Sequence, residues 1–175
     1  MNDKGCLMKK LFLLRHGKAG IGANDKSRPL APHGKQDIFR LGQYLKTSRM
    51  LPDHIFCSSA LRTKETYNQI QAGADVSLPA DFRDDLYLAD AKYMTRLIQN
   101  FDQKISDAMI IAHNPGLAQI FHSLSQNPSN EQRGLAFPTG TLAIIGFDID
   151  DWSELKNDSG RVLQVIMSPE IRKNT

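Results

Sequence analysis

Short apolar runs alternate along this chain with segments whose apolar residues recur at helical spacing, and that alternation constrains the fold most. Residues 11–14 (LFLL) read as a buried first strand. Ile38, Leu41 and Leu45 follow Pro32 at helical spacing, which predicts a helix over residues 32–46. DHIFCSS at 53–59 reads as a second strand, and LRTKETYNQIQAG at 61–73 as a helix ended by Gly73. A third strand falls within residues 76–83, interrupted by Pro79. Met94, Leu97, Ile98 and Phe101 mark another amphipathic helix, and AMIIA at 108–112 a buried strand. Leu117, Ile120, Phe121 and Leu124 form a further helix face, and QNPSNEQRG at 126–134 reads as a loop. TLAIIGFDI at 141–149 and RVLQVIM at 161–167 close the chain as two strands joined by a polar loop. The pattern predicts an α/β fold: a three-layer α/β/α sandwich around a mostly parallel sheet, to which the final hairpin adds an antiparallel edge strand.

The 175 residues suit one domain spanning residues 1–175, large enough to bury a core without staples. Apolar residues at 41% and charged ones at 23% argue against disorder. A net charge of +3, with no dense Lys/Arg run, argues against a nucleic-acid partner while suiting an anionic substrate. Cys6 and Cys57 lack metal-type spacing and are too few for a disulfide scaffold. No run approaches the length of a membrane span or a signal-peptide core, so the expectation is a soluble, cytoplasmic protein.

The first strand runs into RHGKAGIG, which poses a choice between a phosphate cradle for a dinucleotide and chemistry by the Arg-His pair. A dinucleotide fingerprint needs G-x-G-x-x-G opening a helix. Gly17, Gly20 and Gly22 give the reverse order, with Pro29 and Pro32 delaying any helix, and the P-loop pattern is absent. These glycines therefore read as loop flexibility.

Arg15 and His16 remain, at the carboxyl end of the first strand, where open α/β sheets gather their active groups. The second strand ends in Ser58 and Ser59, with Arg62 one helical turn on; the third leads to Asp84 and Asp85; the fourth runs into His113. Parallel neighbouring strands would bring these to one rim. Guanidinium forks match phosphate oxygens and keep their charge. A neutral imidazole can attack phosphorus and hold the phosphoryl group, splitting one displacement into two. Two arginines beside the histidines would repel a divalent cation, and no H-E-x-x-H spacing occurs, so neither a metal nor another cofactor is expected.

RHGK (15–18), CSSALRTKET (57–66) and IIAHNPG (110–116), in that order, resemble the histidine phosphatase superfamily, also called phosphoglycerate-mutase-like. SRPLAPHG (27–34), DDLYLAD (84–90) and FPTGTLAI (137–144) make the chain most similar to its SixA-type phosphohistidine phosphatase branch. The resemblance implies that His16 is the nucleophile and that Arg15, Arg62 and His113 complete a phosphate pocket. It implies added contacts from Arg28 and Ser58, and makes Asp85 the nearest match to the family's general acid. The implied activity is a metal-independent phosphatase working through a phosphohistidine intermediate. Its substrate would be a phosphohistidine-bearing protein or, alternatively, a small phosphorylated metabolite handled by a phosphomonoesterase or mutase. A non-catalytic phosphate-binding module is the remaining alternative.

Overall fold

A computed structural model describes residues 8–167, so Cys6 and most of the polar N-terminal stretch lie outside the described residues. Six strands form one sheet in the order β3-β2-β4-β1-β5-β6. In chain order these are β1 (Lys9–Arg15), β2 (His54–Ser58), β3 (Ala80–Arg83), β4 (Asp107–Ala112), β5 (Leu142–Phe147) and β6 (Arg161–Ile166). The strands β1 to β4 pair in parallel, β5 runs against β1, and β6 runs against β5. The hairpin thus supplies the antiparallel pairings as read from the sequence, with β5 as the reversed strand and β6 as the outer edge.

Side-chain alternation divides the core into two. Phe12, Leu14, Ile55, Cys57, Met109 and Ile111 face Ile38, Leu41 and Leu45 of α1 (Pro32–Thr47) and Ile70 of α2 (Leu61–Ala74). Leu11, Leu13, Ile110 and Ala112 face Met94 and Ile98 of α3 (Ala91–Ile98) and Leu117, Ile120 and Phe121 of α4 (Gly116–Leu124). Because every strand side chain alternates in direction, LFLL serves both layers at once, as a strand covered on two faces must.

This layering positions the site. After β1 the chain leaves toward the α1 face, and after the adjacent β4 it leaves toward the α4 face. Connections departing to opposite faces open a crevice between the carboxyl ends of two neighbouring strands, the usual ligand position in open α/β sheets.

Three sequence expectations change. Gly73 does not end α2: it lies inside the helix, where an added Cβ would collide with the Phe39 carbonyl of α1. The helices close on each other there, and Asp75, with φ of 50°, ends α2 instead. Phe101 lies beyond α3 and stacks on Phe56, ring centroids 3.9 Å apart. The 126–134 stretch is not all loop, because Ser129 and Gln132 form a reciprocal capping box that starts a helical turn, α5 (Asn130–Arg133).

Candidate active site

His16 follows β1 directly and is 7% exposed. Its Nδ1–H donates to the Gly17 carbonyl at 2.8 Å. With the proton committed there, Nε2 keeps its lone pair, and it accepts a 3.2 Å hydrogen bond from Arg62 Nε. Gly17 is packed rather than flexible: its N–H donates to Thr66 Oγ1 of α2, and an added Cβ would sit 2.8 Å from Ile38 Cγ1. The first glycine of RHGKAGIG therefore fixes the imidazole's orientation, which corrects the reading of that glycine as a flexible element.

Arg62, in the first turn of α2, is buried and reaches both imidazoles. Its Nη2 lies 3.2 Å from His113 Nδ1, and Nη1 and Nη2 donate to the carbonyl and carboxylate of Asp25 at 2.5 and 2.9 Å. His113, at the end of β4, points Nε2 at Ser58 Oγ, 2.8 Å away, and its ring centroid is 5.2 Å from that of His16. Because a guanidinium only donates, His113 Nδ1 is the bare acceptor nitrogen and Nε2 carries the proton toward Ser58. Arg15 donates from Nη1 to the Phe137 carbonyl at 2.8 Å, and its Nε is buried with no protein partner among the described residues.

Burial dominates the electrostatics. It pushes His16 down to about 4, aided by Arg62, Arg15 and Arg28, although the Gly17 carbonyl pulls the other way. Burial, then His16 and Arg62, pushes His113 down to about 3. Both rings are therefore neutral at neutral pH. Burial also lowers Arg15, with Arg62 adding to it.

Together Arg15, His16, Arg62 and His113 line an open cavity of about 420 Å³, with Lys18, Asp25, Arg28, Leu88, Asn114 and Thr139 around them. Arg28 does reach this cavity, donating to the Gly20 carbonyl and lying 3.4 Å from Asp25. Ser58 does not line it: wholly buried, it touches His113 rather than a substrate position. Asp85 is also absent from the lining. Arg83, on the same strand exit, grips it with Nε at 2.9 Å and Nη2 at 2.6 Å, and that pairing holds its carboxyl below the usual range. Sequence position just past β3 is matched, yet the short turn after Arg83 aims the carboxylate back along its own strand.

The carboxylate that does line the cavity is Asp25, in the polar stretch 23–28, a residue the sequence motifs do not single out. The Tyr87 hydroxyl first, and Arg62 second, hold its carboxyl down to about 2. No motif spacing marks it; the signal lay only in an acidic residue between two site motifs. Among the described residues no three His, Cys, Asp or Glu side chains stand where they could share a metal ion. No helix of the described residues is long and apolar enough to cross a membrane.

One buried arginine, one half-buried arginine and two neutral imidazoles can together bind a phosphoryl group and present a bare ring nitrogen to it. Known proteins resemble this chain. The sequence model of the histidine phosphatase superfamily (branch 1) matches residues 11–91. The phosphohistidine phosphatase SixA homolog of Haemophilus influenzae is 27% identical over 150 residues, covering 79% of this chain and 88% of that protein. An uncharacterised protein of Mycobacterium leprae is 23% identical over 160 residues, covering 86% and 96%. Among solved structures, the protein histidine phosphatase SixA complexed with tungstate superposes with a TM-score of 0.76 at 20% identity, over 93% of this chain and 99% of that one. A SixA-type protein of Nakamurella multipartitia gives a TM-score of 0.79 at 22% identity, over 91% and 96%. Over residues 11–91, then, the chain is similar to the histidine phosphatase superfamily, and its fold is the one the SixA structures share.

Proposed function

We propose that this protein is a phosphatase that removes the phosphoryl group from a phosphohistidine on another protein, through a phosphohistidine of its own at His16. The observation that carries this reading is the fixed tautomer of His16, with Nδ1–H held by the Gly17 carbonyl and Nε2 facing the cavity with its lone pair. Arg15 and Arg62 supply the cationic forks for the equatorial oxygens. Arg15 Nε, already desolvated and unpaired, gains its missing acceptor when a phosphoryl oxygen arrives. Arg62 Nε turns from His16 to the same anion, freeing the nucleophile.

In the first displacement His16 Nε2 bonds to phosphorus as the bond to the leaving nitrogen breaks. In the second, water attacks phosphorus and the electron pair returns to His16 Nε2. The cationic lining works against a divalent cation, so the arginines provide the charge stabilisation themselves. An open mouth suits a phosphoryl group carried on a protein surface, and the SixA-named relatives support that choice of substrate.

A small-molecule phosphomonoesterase is the second reading, favoured by the superposition on an alpha-ribazole phosphatase from Shigella flexneri (TM-score 0.59, 16% identity). Side-by-side turnover of a phosphorylated histidine-containing protein, sugar phosphates and p-nitrophenyl phosphate separates the two. The proposal expects the highest kcat/KM for the phosphoprotein; a sugar phosphate surpassing it would move the assignment to metabolites.

A further inference from the structure

The two displacements need a proton delivered to the leaving group and later removed from water, and the residue expected to do this, Asp85, is turned away from the cavity. We propose that His113 is the acid–base catalyst of both steps, with Ser58 as the positioning residue that keeps its reactive nitrogen toward the substrate. This rests on the phosphatase reading above and assigns its missing proton carrier.

The candidates narrow by geometry. Asp85 is forked by Arg83 and does not line the cavity. Asp25 lines it, but its carboxylate takes hydrogen bonds from Arg62 at 2.9 Å and Tyr87 at 2.6 Å and serves as their counter-ion. The Tyr87 hydroxyl proton is committed to Asp25. His16 is the nucleophile. His113 alone combines a cavity-lining position, an unprotonated nitrogen directed inward at Arg62, and a rear nitrogen anchored by a buried hydroxyl.

Its two ring nitrogens mirror those of His16. In His16 a carbonyl holds the Nδ1 proton and leaves Nε2 bare; in His113 the Ser58 hydroxyl accepts the Nε2 proton and leaves Nδ1 bare. Ser58 Oγ has no other hydrogen-bond partner among the described residues, and the residue is wholly buried on β2. An acceptor behind the ring favours the imidazolium when a proton does arrive at Nδ1.

The charges facing His113 explain when that happens. Arg62 of α2, with Arg15 and His16 at the end of β1, disfavours the cation; Asp25 favours it; Tyr87 packs edge-on at 5.4 Å without charge. Burial and these charges together keep His113 neutral until an anion binds. A bound phosphoryl dianion adds negative charge beside Nδ1 and neutralises the arginines, so a solvent proton enters with the substrate. As the P–N bond to the leaving imidazole breaks, Nδ1–H passes its proton to that nitrogen. When water attacks, Nδ1 takes the water's proton as the P–Nε2 bond to His16 breaks. Phosphate leaves, and the proton returns to solvent as the dianion departs.

Leaving-group dependence tests this, because acid assistance matters for an alkyl ester and little for p-nitrophenolate. His113→Asn should lose about 10²–10⁴-fold in kcat/KM toward an alkyl phosphate and no more than about tenfold toward p-nitrophenyl phosphate. The same variant should give a burst of p-nitrophenol with phosphoenzyme accumulating, since water has lost its base. Equal losses with both esters and no burst would overturn the proposal and leave His113 as a phosphate ligand only. Ser58→Ala should move the alkaline limb of the kcat profile to lower pH; an unmoved limb would remove Ser58 from the scheme. Failure of the wild type to form any phosphoenzyme would instead strike the phosphatase reading itself.

Discussion

At the floor of the pocket Arg62 and His113 are each 3% exposed, whereas at its lip the side chains of Asp25 and Arg28 stand 49% and 42% exposed. The floor is assembled from strand ends and the first turn of a helix, elements pinned by the two hydrophobic layers. The lip belongs to the excursion between β1 and α1, tied by backbone bonds such as Gly20 to Pro29 and Ala31 to Lys18. In the floor each charge acts through low dielectric and against few competing waters; at the lip solvent screens the same charges. Chemistry is therefore expected to depend on the floor, and the lip to tune how tightly an anion is held.

Substitutions grade this contrast. His16→Ala should lower turnover most, by about 10⁴-fold or more, since an absent nucleophile leaves only binding. Arg62→Ala should cost about 10²–10³-fold in kcat, as removal of one preorganised donor does elsewhere. At the lip, Arg28→Ala should weaken inorganic phosphate binding by about tenfold or less, an effect fading with added salt. Asp25→Asn should tighten phosphate binding a few-fold at low ionic strength by removing the carboxylate that competes for Arg62. Titration calorimetry on the lip variants and steady-state kinetics on the floor variants read these directly. A lip substitution as damaging as Arg62→Ala would erase the distinction.

The floor also predicts a pH signature. Both histidines bind protons less readily folded than unfolded, so protonation favours unfolding. Their contribution to stability is complete above the unfolded value near 6.5 and declines as pH falls toward about 4 for His16 and about 3 for His113. Denaturant midpoints should drop through that window, and His16→Ala should flatten the slope. An unchanged slope would mean that His16 is not buried neutral.

The floor was legible in the sequence and the lip only in part, through Arg28, for the same physical reason. Arg15, His16 and His113 sit at the ends of strands whose apolar runs announce themselves, and Arg62 falls in the first turn of a recognisable helix. Parallel pairing of β1 and β4 then brings the ends together. Ser58 was placed at the right strand end, but whether its side chain meets substrate or imidazole depends on strand pleat and burial. Asp85 matched by position, and its turn toward Arg83 is a rotamer and turn outcome no spacing encodes. Asp25 gained its place from loop geometry, through contacts with Arg62 and Tyr87 that are distant in sequence. Gly73 shows the same limit in the fold: a terminator by local chemistry, it is a helix contact once α1 is packed against it.

Trapping the phosphoenzyme tests the central claim most directly. Brief incubation with a phosphohistidine donor, a quench in base and peptide mapping should place an acid-labile, base-stable phosphoryl group on Nε2 of His16, absent from His16→Ala. A phosphoryl group found on another residue, or steady turnover by His16→Ala, would contradict the account.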